Sequence, residues 1–364
     1  MTKFPKEKAI VYCEGAFNTP NGKTAHGLVR KTSRYQILSV VDSRFAGKDA
    51  GFILDRKSNG IPIFENVPAA IEHARARKEA ATHLVVGLAP DGGRLNSTAR
   101  NDVIIAIKSG LNVDCGLHDF LSEDPVIAPL AAENNVTLRD IRKPPDRKYL
   151  HFFSGIIEQV KCLKIAVLGT DSAVGKRTTA WMLADGLNAN SIRTEFVGTG
   201  QTAWMQGARY FLILDSLVND FLSGEIEFAI WSAWNGSKPQ VIVIEGQGSL
   251  MNPAYPGGYE ILAAGRPDIV VLQHAPARKD YDGFPGYPIQ PIEKQIQAIE
   301  VVSSKRVVAI TVNHEDLAEN LIEAACDELT AKTGLPAVDV LTMGTDKLVK
   351  VVRNYLKPNG TSNE

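Results

Sequence analysis

Short, continuously apolar runs alternate with longer amphipathic stretches along almost the whole chain, and this alternation constrains the fold more than any other feature. Runs that read as buried strands cover residues 9–12, 36–41, 83–88, 112–114 and 136–138, then 164–168, 194–197, 241–244, 269–272, 306–311 and 337–341. Helical patterns fill most intervals, as at 68–77, 97–109, 178–187, 215–228 and 317–333. A strand without polar alternation is covered on both faces, so the pattern predicts α/β architecture with doubly wound parallel sheets.

The 364 residues exceed one ordinary core and suit two domains. The break is expected at 143–155, a charged stretch holding Pro144 and Pro145. That gives a first domain over 1–150 and a second over 151–364, although a long surface loop would read the same way. A second irregular stretch, 273–291, carries several prolines and glycines, with Tyr281, Phe284 and Tyr287 interspersed. Those aromatics favour an ordered, functional loop.

A net charge of −1 supplies no global field for nucleic acid or an anionic membrane. The four cysteines, Cys13, Cys115, Cys162 and Cys326, form no C-x-x-C pair. No metal site is expected from them, and they suit a reducing cytoplasm. The first residues lack the apolar core of a signal peptide, and no run approaches the roughly 20 apolar residues of a membrane span. The expectation is a cytoplasmic homo-oligomer acting on a small molecule.

The chemistry concentrates at 164–180, which reads KIAVLGTDSAVGKRTTA. An apolar strand ends at Leu168; Gly169, Thr170, Asp171, Ser172, Ala173, Val174 and Gly175 make the turn; Lys176 and Arg177 come next, and a helix opens near Thr178. Phosphate oxygens need several converging backbone N–H donors, and a glycine loop running into a helix N-terminus supplies them. Lys176 adds a point charge between two phosphates. The residue after the lysine is Arg177, where magnesium-binding P-loops carry Ser or Thr. A diphosphate ligand without a transferred γ-phosphate, such as coenzyme A, fits this better than Mg²⁺–ATP.

A second strand, 241–244, ends in Glu245-Gly246-Gln247-Gly248-Ser249. Ligands sit beyond the carboxyl ends of parallel strands, so Glu245 should face the P-loop. It can act as a general base, a metal contact, an orienter of Lys176, or a carboxylate that caps the next turn. Together the two motifs resemble dethiobiotin synthetase and related P-loop enzymes, which sets a fold class and keeps an ATP-dependent ligase as the alternative activity.

A closer resemblance covers nearly the whole chain. The segments at 244–262 and 266–292, with GTDSAVGKRTTA before them, and GKTAHGLVR (22–30), VDSRFAGKDAG (41–51), GLAPDGGRL (87–95) and SGLNVDCGLHDFLSED (109–124) resemble the D-glutamate N-acetyltransferase family. The resemblance implies a Rossmann-like N-terminal domain joined to a P-loop domain, and acetyl transfer from acetyl-CoA to the amino group of D-glutamate. The coenzyme's diphosphate would rest on 169–178. The chain departs from the family pattern at Asn252, where a histidine is expected, which leaves room for another amino acid as substrate or for a non-catalytic nucleotide or CoA sensor.

Other candidates stay double-edged. Arg266, Arg278 and Lys279 flank the strand 269–272; each is a cation for a dicarboxylate or a solvated surface charge, with Arg278 the first choice. His274, at a strand's carboxyl end, is a base or a satisfied structural histidine. Asp171 contacts substrate or shapes the turn. Gln247 and Ser249 can line the substrate. In the first half, Lys23, Thr24 and Arg30 can face an anion, Asp42 is a weak ribose-binding signal, and His118 with Asp119 reads best as a core pair.

Overall fold

The computed structural model describes residues 7–356. The chain divides into two compact units: Met1–Pro144 with Gln201–Ala208, and Pro145–Gly200 with Arg209–Glu364.

The first unit is a six-stranded parallel sheet: β1 (Glu7–Tyr12), β2 (Tyr35–Val41), β3 (Ile63–Phe64), β4 (His83–Val86), β5 (Asn112–Cys115) and β6 (Leu138–Asp140). Their order is β3-β2-β1-β4-β5-β6, which reverses between β1 and β4 as in Rossmann-like sheets. Helices Lys23–Arg30, Val67–Ala76 and Ser97–Lys108 connect the strands. Asn66 and Asn96 start the last two by accepting the Ala69 and Ala99 amides. Ile10, Val11, Val40, Leu84, Val85 and Val113 are fully buried between the layers. β6 begins two residues later than the apolar run suggests. Its position is fixed by pairing with β5 and by Arg139, which donates to the Asp114 carboxylate at 2.6 Å, so two of its three residues are charged.

Residues 201–208 also belong to this unit. They form a short helix, Gln201–Gln206, absent from the sequence expectation because six residues carry no readable period. Thr202 bonds the Thr24 hydroxyl at 2.9 Å, Gln206 Nε2 donates to the carbonyls of Gly27 and Lys31, and Met205 is fully buried in the core. The Arg34 guanidinium stacks 3.7 Å from the Trp204 ring centre.

The second unit is a seven-stranded sheet: β7 (Leu163–Gly169), β8 (Thr194–Gly198), β9 (Tyr210–Phe211), β10 (Val241–Glu245), β11 (Ile269–His274), β12 (Val307–Val312) and β13 (Ala337–Val338), ordered β13-β12-β11-β7-β10-β8-β9. All its pairings are parallel. β10 and β12 are buried at every residue, the mark of a sheet covered on both faces. The covering helices include Lys176–Ala189, Asn219–Ser237, Ile292–Ser303 and Ile322–Thr333.

Three boundaries differ from the apolar pattern. The helix expected at 215–228 is Asn219–Ser237, because Leu214–Ser216 makes a 3₁₀ turn first. Its extension is held by Glu227, a buried carboxylate that accepts from the Ser154 and Ile157 amides. The helix expected from 317 starts at Ile322 after another 3₁₀ turn. The run 337–341 splits at Asp339, whose carboxylate accepts from Leu341 and Thr342 and opens a short helix. Among the described residues no helix is long and apolar enough to cross a membrane.

The topology positions the P-loop relative to its neighbouring strands. β7 sits between β10 and β11, with Val167 opposite Glu245 and Gly169 opposite Gln273. The P-loop therefore leaves the sheet with Glu245 on one side and His274 on the other.

Candidate functional site

The loop 169–175 runs from β7 directly into the helix Lys176–Ala189. Gly175 takes φ +102°, open to glycine alone at little cost, and turns the chain so that the helix's first amides point back across the loop. The helix opens at Lys176, two residues earlier than the sequence suggests. Lys176 is buried, and its Nζ donates to the Asp171 carbonyl at 2.6 Å, closing the loop on itself. Thr170, Asp171 and Val174 are fully buried, Ser172 nearly so, while Ala173, Gly175, Arg177 and Thr178 are half-buried at the loop's rim.

Asp171 organises this region. Its Oδ1 accepts from its neighbour's amide at 2.7 Å and from Asn252 Nδ2 at 2.6 Å. Its Oδ2 accepts from Arg278 and from the Asp282 amide, both at 2.8 Å. One carboxylate thus ties the P-loop to the loop after β10 and to the loop after β11. Asn252 completes its part by accepting the Ala254 and Tyr255 amides at 2.8 and 2.9 Å. Arg278 also donates to the Ser172 carbonyl and to Glu315. Burial alone would lower the arginine's pKa; the bonds to Asp171 and Glu315 overcome this and hold its proton more firmly than usual. The Ser172 hydroxyl donates to Asp282 at 2.6 Å.

Glu245 is buried beside the loop. Burial raises its pKa, opposed by the nearby charges of Arg177 and Lys176 and by the Thr199 amide, which it accepts at 2.9 Å. Arg177 therefore brings its charge toward a carboxylate at the place where magnesium-binding loops carry a hydroxyl. Gln247 donates to the Thr199 hydroxyl at 3.0 Å, and Ser249 pairs with the 255–257 turn through its backbone. A β-carbon at Gly246 would strike the Val167 carbonyl, so glycine is required where this strand end crosses β7.

His274 flanks the other side. Its Nδ1 lies 2.9 Å from the Thr170 hydroxyl. Burial, reinforced by the charges of Lys332 and Arg278, lowers its pKa to about 4, so the ring is neutral at ordinary pH. It lines a cleft of about 250 Å³ with Arg278, Gln290, Pro291, Glu328 and Lys332.

The sequence-read candidates of the second unit thus gather at three neighbouring strand ends, Arg266 excepted. Arg266 lies off the site in an exposed ion pair with Glu158. Lys23 belongs to the first unit, exposed at the start of its helix. In that unit Asp42 caps a turn and is bonded twice by Arg44. His118 is exposed and Asp119 accepts from Leu95 and Arg94, so these two do not form the expected core pair. Glu7, His83 and Asp114 approach within 4.8 Å of one another, a spacing a cation could use. Arg139 already bonds both carboxylates there, and the Tyr35 hydroxyl bonds Asp114. Asp282, Glu315 and Thr199 escaped the sequence reading; each lies in irregular chain or at a strand end with no motif to mark it. Gln273 was equally silent, yet its Oε1 accepts from both the Thr179 and Thr311 hydroxyls.

Comparison with known proteins matches both halves. The description "Domain of unknown function (DUF1611_C) P-loop domain" fits residues 151–349, and "Domain of unknown function (DUF1611_N) Rossmann-like domain" fits 43–144. A protein of Tritonibacter scottomollicae named D-glutamate N-acetyltransferase is 30% identical over 282 residues, covering 75% of this chain and 82% of the relative. One from Pseudoalteromonas sp with the same name is 31% identical over 281 residues, with the same coverage. The crystal structure of a DUF1611 family protein from Anabaena variabilis superposes with a TM-score of 0.85 at 27% identity, covering 96% of this chain and 100% of the other. The chain belongs to the DUF1611 family, whose Rossmann-like and P-loop modules it carries in that order.

Proposed function

We propose that this protein transfers the acetyl group of acetyl-CoA to the amino group of D-glutamate or a closely similar amino acid. The observation that carries the reading is the shared name of two relatives aligned over 82% of their length. The P-loop supports it. A diphosphate finds the first-turn amides of the helix Lys176–Ala189, the Lys176 ammonium and the Arg177 guanidinium. With an arginine at the usual magnesium-hydroxyl position, cationic compensation comes from the chain itself.

In the transfer, the amine lone pair forms a C–N bond to the thioester carbonyl carbon and the C–S bond breaks. The coenzyme leaves as thiolate with that electron pair and takes up a proton. The amine nitrogen loses a proton, most readily from the tetrahedral adduct, where it is far more acidic than a free ammonium. His274, neutral and next to the P-loop, accepts it in this reading. Glu245 orients Lys176 and Arg177, and Asp171 positions the three loops.

Pure protein incubated with acetyl-CoA and either glutamate enantiomer should release free thiol with the D form, read by a thiol-reactive dye. No thiol release with any amino acid would end the proposal, and thermal stabilisation by Mg²⁺–ATP but not by CoA would favour the ligase instead. Lys176→Ala should weaken CoA binding by roughly 10- to 150-fold in calorimetry, the worth of one charge-assisted phosphate contact of about 1.5–3 kcal/mol.

A further inference from the structure

The cleft beside His274 has no assigned role, and its size, charge and position all bear on what it holds. Its 250 Å³ is below the roughly 300–1,000 Å³ typical of drug-sized ligands and equals about eight waters at ~30 Å³ each. That volume suits a single amino acid.

Its charges have both signs. Glu328 and Lys332 stand one turn apart on the helix Ile322–Thr333 and both line the cleft. Residues four apart share a helix face. Such a pair matches a zwitterion whose ammonium and distal carboxylate are separated by a short methylene chain. Ile289 and Leu329 supply apolar wall for those methylenes. Lys332 lines this space on the same side as Pro291 and Ile292 of the neighbouring helix start. Its partner is Glu293, 3.2 Å away, with both side chains 47% exposed. A surface pair of that kind is worth little and exchanges readily for a ligand carboxylate. The start of the helix Ile292–Ser303 adds amides on the same wall, next to Pro291.

Position completes the argument. The ring that lines the cleft is bonded at Nδ1 to Thr170 of the P-loop. The cleft and the P-loop therefore share one imidazole.

We propose that this cleft is the acceptor subsite, taking one amino diacid with Lys332 on its distal carboxylate and Glu328 on its ammonium. The assignment rests on the acetyl-transfer reading for its chemistry, while its binding test does not.

The test uses the full-length protein with Lys332→Gln and Glu328→Gln, both surface changes away from the packed core. Calorimetry with D-glutamate, and with glutarate, which lacks the ammonium, measures binding directly. Lys332→Gln should weaken both ligands about tenfold or more, and Glu328→Gln should weaken D-glutamate but not glutarate. In the acetyl-transfer assay the same variants should raise KM for the amino acid and leave KM for acetyl-CoA unchanged. Wild-type binding with no turnover, lost in Lys332→Gln, would uphold the cleft and sink the transfer reading. Turnover with amino-acid KM within twofold of wild type in both variants would overturn the cleft and leave the transfer reading intact. Failure of the wild type to bind either ligand would also overturn the cleft.

Discussion

Asp171→Ala should cost the P-loop unit about 3–5 kcal/mol, the usual penalty for removing one partner of a buried ion pair. The reason is the number of groups the carboxylate serves. Its loss strands the Asn252 amide, the Asp282 N–H and one face of the Arg278 guanidinium, whose side chain is only 12% exposed. Each stranded donor keeps its desolvation cost and loses its acceptor. At about 2–4 °C per kcal/mol for a unit of this size, the melting temperature should fall by on the order of 10 °C. Asp171→Asn keeps one acceptor oxygen and should fall less. Calorimetric scanning of the three proteins decides it: a melting point for Asp171→Ala within 2 °C of wild type would show that the three loops hold without this carboxylate.

The second large effect is expected at His274. His274→Asn keeps an atom near the Nδ1 position for Thr170 and removes the rest of the ring. If the imidazole takes the amine proton, kcat should drop by about 10²- to 10⁴-fold with KM for acetyl-CoA little changed. The same variant has a readout that catalysis does not touch. The unfolded imidazole titrates near 6.5 and the folded one at about 4. Between those values the unfolded state binds more protons, so His274 withdraws stability as pH falls from 6.5 toward 4, by up to about 3 kcal/mol. His274→Asn should therefore lose less stability than wild type across that window in urea melts. Equal acid-side slopes would mean the ring is not held neutral; unchanged kcat would remove it from the proton transfer.

The sequence carried the site's centre further than its rim. The glycine loop, Lys176, Glu245 and His274 were legible because each stands at or beyond the end of an apolar run, and parallel topology fixes which end faces ligand. Asp171 was visible as a loop residue, but its role depends on Asn252, Arg278 and Asp282, which lie 81 to 111 positions away. No local pattern encodes a partner at that distance. Lys332 and Glu328 look like ordinary solvated helix charges until the loop 273–291 is folded beside them. Edge strands of two residues, β3 and β9, fall below any period a window can resolve. The same holds for 201–208, whose membership in the first unit only the packing of Met205, Trp204 and Gln206 reveals.

That late segment bears on how the molecule is born. Amino-terminal modules commonly fold while the ribosome is still adding the rest of the chain. Here the amino-terminal sheet cannot finish its interior until Met205 has been synthesised, well after the first strand of the next module. Nascent chains shorter than that must wait with Gly27 and Lys31 lacking the side-chain amide of Gln206. Cutting between Pro144 and Pro145 would yield a fragment with an open seam rather than a self-sufficient module, so the two halves are bound to a common schedule of maturation.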